Sequence, residues 1–360
     1  MIRFLVFLFC CVGASLARAY PELTRFQYNN CAACHVAPSG GGLLTSYGRG
    51  LSSEVLSTWG TEQEAGFLHG AVDRETIEKY LLFGGDIRAV QVHKEDARAR
   101  VGKFIKMQAD LAVGWVRDFY AFVINIGELE NQDDWRPNGT SYYAMLKPKD
   151  ELSLRVGRFT PQYGLYLPDH ILFVRSFLGF GLGSNRDTAE IQWTGENFTG
   201  NVSQSRQVNV ADPESATSAQ VQSYLFDSSK VALNYWKGNS TGVNRSAYGF
   251  WTVLGFKQNL YLLSEFDWQK KTIAGSDTNG TAHYNKLGYT VMKGLDLFIH
   301  EEAQQTDLND PQSVVTRKGL GIQFYPRPHF EVNGVWTKQV VQSLTNEEGD
   351  YAWLIFHYYL

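Results

Sequence analysis

The sequence predicts an all-β chain: an antiparallel outer-membrane β-barrel of about 16 strands, preceded by a small α-helical segment. Three observations predict it. Apolar and polar residues alternate with period two through much of residues 86–360. The links between the alternating stretches are short and long by turns. A Cys31-Ala32-Ala33-Cys34-His35 pentapeptide stands in a short, helix-spaced segment ahead of them.

The alternation is clearest where Ile105, Met107, Ala109, Leu111, Val113 and Trp115 interleave with Lys106, Gln108, Asp110, Ala112 and Gly114. Tyr120, Phe122, Ile124 and Ile126 form a second such row. Leu152, Leu154 and Val156 alternate with Ser153, Arg155 and Gly157, and the last strand runs Leu354, Phe356, Tyr358, Leu360. One apolar and one polar face fit a lipid-facing barrel with a wet interior, and equally a soluble sandwich.

The links separate those two. Candidate strands begin near residues 86, 102, 119, 140, 151, 186, 197, 220, 229, 244, 259, 281, 295, 314, 329 and 350. Even-numbered links are short, such as Arg117-Asp118, Gln258-Asn259 and Lys293-Gly294. Odd-numbered links are mostly long and polar, as at 129–139, 206–219 and 341–349. Short periplasmic turns against longer outside loops mark an outer-membrane barrel, and an even strand count returns both ends to the periplasmic side. The longest link, 159–185, carries Tyr163, Tyr166, His170, Phe173, Arg175, Phe177 and Phe180. It is apolar enough to seek burial, so it is expected to fold into the lumen and narrow it.

Residues 1–19 read as a secretory signal: Arg3, an apolar run from Phe4 to Ala14, and the small-x-small site Ala17-Arg18-Ala19. The run is short for a membrane span. Its removal takes Cys10 and Cys11 with it, leaving only Cys31 and Cys34. The domain plan is then 1–19 signal, 20–85 haem segment and 86–360 barrel. Losing Arg3 and Arg18 moves the formal charge from −4 to −6, and an acidic chain without a basic block excludes nucleic acid as a partner.

Cys31-x-x-Cys34-His35 is the c-type haem attachment pattern. Two thiols three positions apart reach two vinyl groups of one porphyrin, and the adjacent histidine supplies an axial nitrogen to the iron. A zinc site needs two more ligands, and a redox C-x-x-C belongs in a βαβ context that the sequence lacks. Pro38 is either a carbonyl partner for the His35 ring N–H or a plain loop proline, and Gly40-Gly41-Gly42 lets the chain turn back. Leu43, Leu44, Tyr47, Leu51, Val55, Leu56 and Trp59, then Ile77, Tyr80, Leu81 and Leu82, follow at helical spacings. Two or three short helices wrapped around one haem c are expected. Methionine is the usual sixth ligand, but Met107, Met145 and Met292 all lie later, so His69 is the candidate within the segment. A five-coordinate iron, or a ligand from His93 or His170, competes with it.

With a signal, one Cys31-x-x-Cys34-His35 motif, the Tyr47-Gly48-Arg49 linker and a barrel, the chain resembles the fused monohaem cytochrome–porin outer-membrane proteins, of the kind found in iron-oxidising bacteria. The resemblance implies that Cys31 and Cys34 anchor the haem, that His35 is its proximal ligand, and that electrons cross the outer membrane. It sets the chain in the outer membrane of a Gram-negative bacterium, with the haem segment on the periplasmic side or in the lumen. Its partners are then outer-membrane lipid, a periplasmic electron carrier and an external or lumen-entering redox partner. This describes a redox carrier more than a catalyst of substrate turnover. A diffusion porin with the haem segment as plug or sensor is the other reading, and a haem enzyme such as a peroxidase a third.

Overall fold

A computed structural model describes residues 21–28, 30–71, 80–129, 140–167, 169, 171–181, 184–342 and 346–360. The expected signal, Ile77 and His170 lie outside the described residues. Sixteen antiparallel strands close into one barrel: β1 Leu81–Asp96, β2 Arg100–Val116, β3 Tyr120–Leu129, β4 Ser141–Lys149, β5 Leu152–Phe159, β6 Arg186–Thr194, β7 Phe198–Gln207, β8 Ser215–Leu225, β9 Ser229–Asn239, β10 Val243–Lys257, β11 Leu260–Ile273, β12 Ser276–Met292, β13 Leu295–Gln305, β14 Val314–Arg327, β15 Phe330–Val341 and β16 Glu347–Tyr359. The ring is sealed by β1 against β16, with Asp86 opposite Tyr359 and Asp96 opposite Gly349. Closure matters because an unpaired backbone group in hydrocarbon costs several kcal/mol.

The wall is inverted relative to a water-soluble protein. Its outward face exposes Ile87, Leu111, Phe122, Ile191, Val221, Leu233, Ile299 and Leu320, while Glu190, Gln192, Asn201, Ser203, Ser218 and Gln220 are buried on the inside. Apolar outside and polar inside is the arrangement of a barrel whose outer surface meets lipid.

Two expectations need correction. Leu81 and Leu82, read as the end of a helix, open β1 opposite Trp115 and Gly114. Leu82 packs inward with Val36 and Leu43; a short apolar run does not distinguish helix from strand by spacing alone. The row from Ile105 to Trp115 is also not one face. Arg88 pairs with Gln108 and Ala89 with Lys106, so Met107 is an extra residue, a β-bulge. The bulge reverses the phase: Leu111 and Trp115 are exposed outward, whereas Ile105 lies opposite the buried Val90.

The long loop between β5 and β6 turns into the lumen, as its composition suggests. Tyr163 Oη donates to Asp267 Oδ1 at 3.0 Å and the Leu165 amide to Glu265 Oε2 at 3.0 Å, both on β11. Gln162 Nε2 donates to Gln220 Oε1 on β8 at 2.7 Å. A helical turn, Phe173–Ser176, presents the Phe173 amide to Glu302 Oε2 on β13 at 2.7 Å. The loop thus reaches from β5 to strands far around the ring, and where it crosses, Tyr163 stacks on Phe180, which meets Trp236 edge-to-face. Its apolar residues supply a core that the polar inner wall does not.

Candidate functional site: the lumenal segment around Cys31 to His35

The segment ahead of β1 lies inside the barrel, at the mouth formed by the short turns. Its first turn, Pro21–Phe26, sets Arg25 Nη2 against Thr290 Oγ1 at 2.7 Å and Asp296 Oδ2 at 3.4 Å. Arg155 Nη2 donates to Ser39 Oγ at 3.0 Å while also holding Glu190 at 2.8 Å. Gln192 Nε2 donates to the Pro38 carbonyl at 3.0 Å. On the opposite side Ser52 Oγ meets Tyr359 Oη at 3.0 Å and receives the His329 amide at 2.7 Å, and the Thr58 amide bonds the Tyr325 carbonyl at 2.8 Å. Contacts to β6, β13, β14 and β16 together hold the segment as a plug.

Residues Cys31–Cys34 form one helical turn. Asn30 caps it through the Ala32 amide at 3.0 Å, and the His35 amide closes it on the Cys31 carbonyl at 3.0 Å. His35 then leaves the helical region and bridges Leu44 in antiparallel fashion. Gly40, Gly41 and Gly42 all have positive φ, which lets the chain reverse in so few residues. Leu43 and Leu44, expected on a helix, therefore lie on the return of this loop. Thr45 caps the next helix, Ser46–Leu51, through the Gly48 amide at 3.0 Å and ties back to Ala33 at 2.8 Å. Gly48 lies so close to the first turn that a Cβ there would sit 2.2 Å from the Cys34 carbonyl oxygen. That gives the Tyr47-Gly48-Arg49 stretch a packing reason.

Cys31 and Cys34 form no disulfide with each other. Cys34 is wholly buried with Leu51 and Val55, and burial, reinforced by Cys31, pushes its thiol up to about 12. A thiol so reluctant to ionise is a poor disulfide-exchange nucleophile. His35 borders a cavity of about 360 Å³ between the plug, the inturned loop and the wall, shared with Leu43, Asp86, Arg88, Met107, Tyr166 and Arg175. Two thiols on one helical turn beside an imidazole are the residue types a c-type haem needs; of the three, His35 borders this cavity and neither thiol does, Cys34 being packed against Leu51 and Val55.

The other sequence candidates are not gathered there. His69 is exposed in the turn Phe67–Gly70, its ring 5.4 Å from that of His329 and 5.7 Å from that of Tyr358, and it does not border the His35 cavity. His93 lies on β1 with its Nε2 3.5 Å from Glu95, opposite Ala352, and it too is absent from the cavity. His357, which sequence reasoning missed, does border it; Asp86 holds its Nε2 at 2.6 Å and Glu331 its Nδ1 at 3.0 Å. No local pattern marks His357, because its partners come from β1 and β15.

His329, in the turn between β14 and β15, is a lock on the plug: its ring faces the Ala65 carbonyl at 3.0 Å. Burial pushes its pKa down to about 4. An imidazole held neutral stabilises the docked state fully above its unfolded value of about 6.5 and loses that contribution as pH falls toward 4. Protease cleavage within residues 52–66 is therefore expected to accelerate between pH 7 and pH 5, and His329→Gln to flatten that dependence. Equal rates across this window in the unaltered protein would contradict the assignment.

No family model and no curated protein matches the chain. Solved structures do match it. An anion-selective porin from Comamonas acidovorans superposes with a TM-score of 0.65 at 10% identity, covering 78% of this chain and 99% of that one. An OmpT loop-deletion mutant, an outer-membrane protein of Vibrio cholerae, gives 0.61 at 12% identity over 78% and 99%. OprB of Pseudomonas putida gives 0.60 at 11% over 85% and 99%. At such identities the likeness is one of fold: a porin-type barrel.

Proposed function

We propose that this chain sits in a Gram-negative outer membrane and carries one covalent c-type haem in its lumen as an electron-transfer centre. One observation carries the reading: the Cys31–His35 turn is held inside the barrel, with His35 facing a cavity against the inner wall. Cys31 and Cys34 hold the two thioethers and His35 the proximal nitrogen. Bound haem supplies the one-electron ferric–ferrous couple that the polypeptide lacks. The chain's own residues do the rest. The capped turn fixes the attachment points, Arg88 and Arg175 set positive charge beside the cavity, and the plug and inturned loop keep bulk solvent from running through the lumen. One haem spans only part of a hydrocarbon core about 30 Å thick. Donor and acceptor, a periplasmic carrier and an external or lumen-entering partner, therefore approach the two ends.

Proteoliposomes with an enclosed redox dye and an external reductant test this. The expected result is dye reduction by the intact protein and none by Cys31→Ala/Cys34→Ala. Equal rates in both would end the reading.

The comparisons favour a second reading, in which the barrel is a diffusion porin and the segment a plug or sensor. That reading predicts solute uptake that persists in Cys34→Ala. In this barrel Arg155, a lumen-facing candidate for selectivity, is already engaged by Ser39 and Glu190.

A further inference from the structure

We infer that Arg186 and Arg245 form a carboxylate-binding site in the lumen, built for a small organic acid and occupied by the chain's own Glu214 until a solute displaces it. The inference does not depend on what Cys31 and Cys34 carry. Arg186 opens β6 and Arg245 lies near the start of β10, both at the end of the barrel opposite the short turns. Arg245 grips the Glu214 carboxylate with two bonds, Nε to Oε1 at 2.8 Å and Nη2 to Oε2 at 2.7 Å. Arg186 Nη2 closes on Oε2 at 2.6 Å. A planar guanidinium that meets both oxygens is the geometry by which arginine recognises a carboxylate. The Arg186 side chain is 2% exposed and that of Arg245 9%, so the bonds form away from bulk water.

Three features separate this cluster from an ion pair that merely ties two strands. The guanidiniums rest on ring faces: Arg186 lies 4.8 Å and Arg245 5.3 Å from the centre of the Trp236 ring, and Arg245 lies 5.6 Å from that of Phe180. A ring face positions a cation without neutralising it. Lys271, directly opposite Arg245 on β11 and within electrostatic reach of Arg245 and Glu214, adds a third positive charge, and Glu214 balances one of the three. The carboxylate, moreover, comes from the link between β7 and β8 and not from the wall. Arg155 and Glu190 show the contrasting case, a one-to-one pair between facing residues of β5 and β6. The wall also leaves room for the acid. Gly238 stands opposite Arg245 on β9, and a Cβ there would lie 1.9 Å from Glu214 Oε1. The wall thus makes the hollow and Glu214 fills it. Arg245 Nη1 donates to the Leu178 carbonyl of the inturned loop, so a solute entering from this end meets the site where that loop crosses the lumen.

The test is calorimetric titration of the full chain, folded in detergent, with propionate, which copies the end of the Glu214 side chain, and with the neutral propionamide. Heat-modified gel mobility is the control for barrel folding. Glu214→Ala empties the site and is expected to bind propionate saturably and propionamide not at all. Glu214→Ala/Arg245→Gln is expected to lose that binding. The unaltered protein is expected to bind propionate about tenfold or more weakly than Glu214→Ala, because its tethered carboxylate leaves only a fraction of barrels open. Glu214→Gln keeps the size of the side chain without its charge; it is expected to bind propionate more tightly than the unaltered protein, and serves in place of Glu214→Ala should that variant not fold. A folded Glu214→Ala that ignores propionate, or takes propionamide equally well, overturns the inference. So does propionate binding that survives Arg245→Gln, or an unaltered protein with no saturable binding.

Discussion

Single-channel conductance of the reconstituted barrel is expected to rise several-fold only when both obstructions are removed. The plug occupies the mouth at the short turns, and the loop of residues 160–185 crosses the lumen between β5, β8, β11 and β13. They lie in series, so either alone limits flow. Deleting residues 165–180 is expected to leave conductance low, because Arg155, Gln192 and Tyr359 still hold the plug. Deleting 21–60 alone leaves the loop tied to Glu265 and Glu302. The double deletion leaves the aqueous channel that a 16-stranded wall encloses when unfilled. High conductance in the intact protein would contradict the obstructed lumen, and high conductance in one single deletion would contradict the series arrangement.

The second large effect is expected from Gly48→Val. The new side chain meets backbone, the Cys34 carbonyl, and not a flexible tip. Overpacking a tight contact costs about 1–3 kcal/mol, and a backbone obstacle places this case at the upper end. The strain falls on the helical turn that carries Cys31, Cys34 and His35. The expected outcome is rapid proteolysis within residues 21–66 with unchanged heat stability of the barrel. Gly50→Val is the control, since a Cβ at Gly50 meets nothing within 4 Å. Equal protection in both variants would refute the tight packing.

These effects could not all be foreseen from the chain. Strand number and the inturned loop were legible because each is a local signal: period-two rows, and one long link rich in aromatics; the link rhythm was legible only in part, because the expected long links 238–243 and 270–280 are tight turns, with Ala274 and Gly275 alone joining β11 to β12. The Cys31-x-x-Cys34-His35 spacing was legible as a motif because it lies within five residues, while the haem it is proposed to hold is a matter for experiment. The start of β1 was not, since Leu81 and Leu82 fit helix and strand equally and only pairing with Trp115 and Gly114 decides. The lumenal seat of the plug was not either, because it is written in single polar side chains on distant strands: Arg155, Gln192, Asp296 and Tyr359. Ile105 was read onto the wrong face because one extra residue, Met107, flips every side chain beyond it. Sequence alternation carries no mark of where a bulge falls.

The most direct measurement on the whole account is the state of Cys31 and Cys34 in protein extracted from the outer membrane of cells able to attach haem. The account predicts an intact mass raised by one haem per chain, neither thiol titrating after denaturation, and both changes lost in Cys31→Ala/Cys34→Ala. Two freely titrating thiols on an unmodified, folded barrel would contradict it.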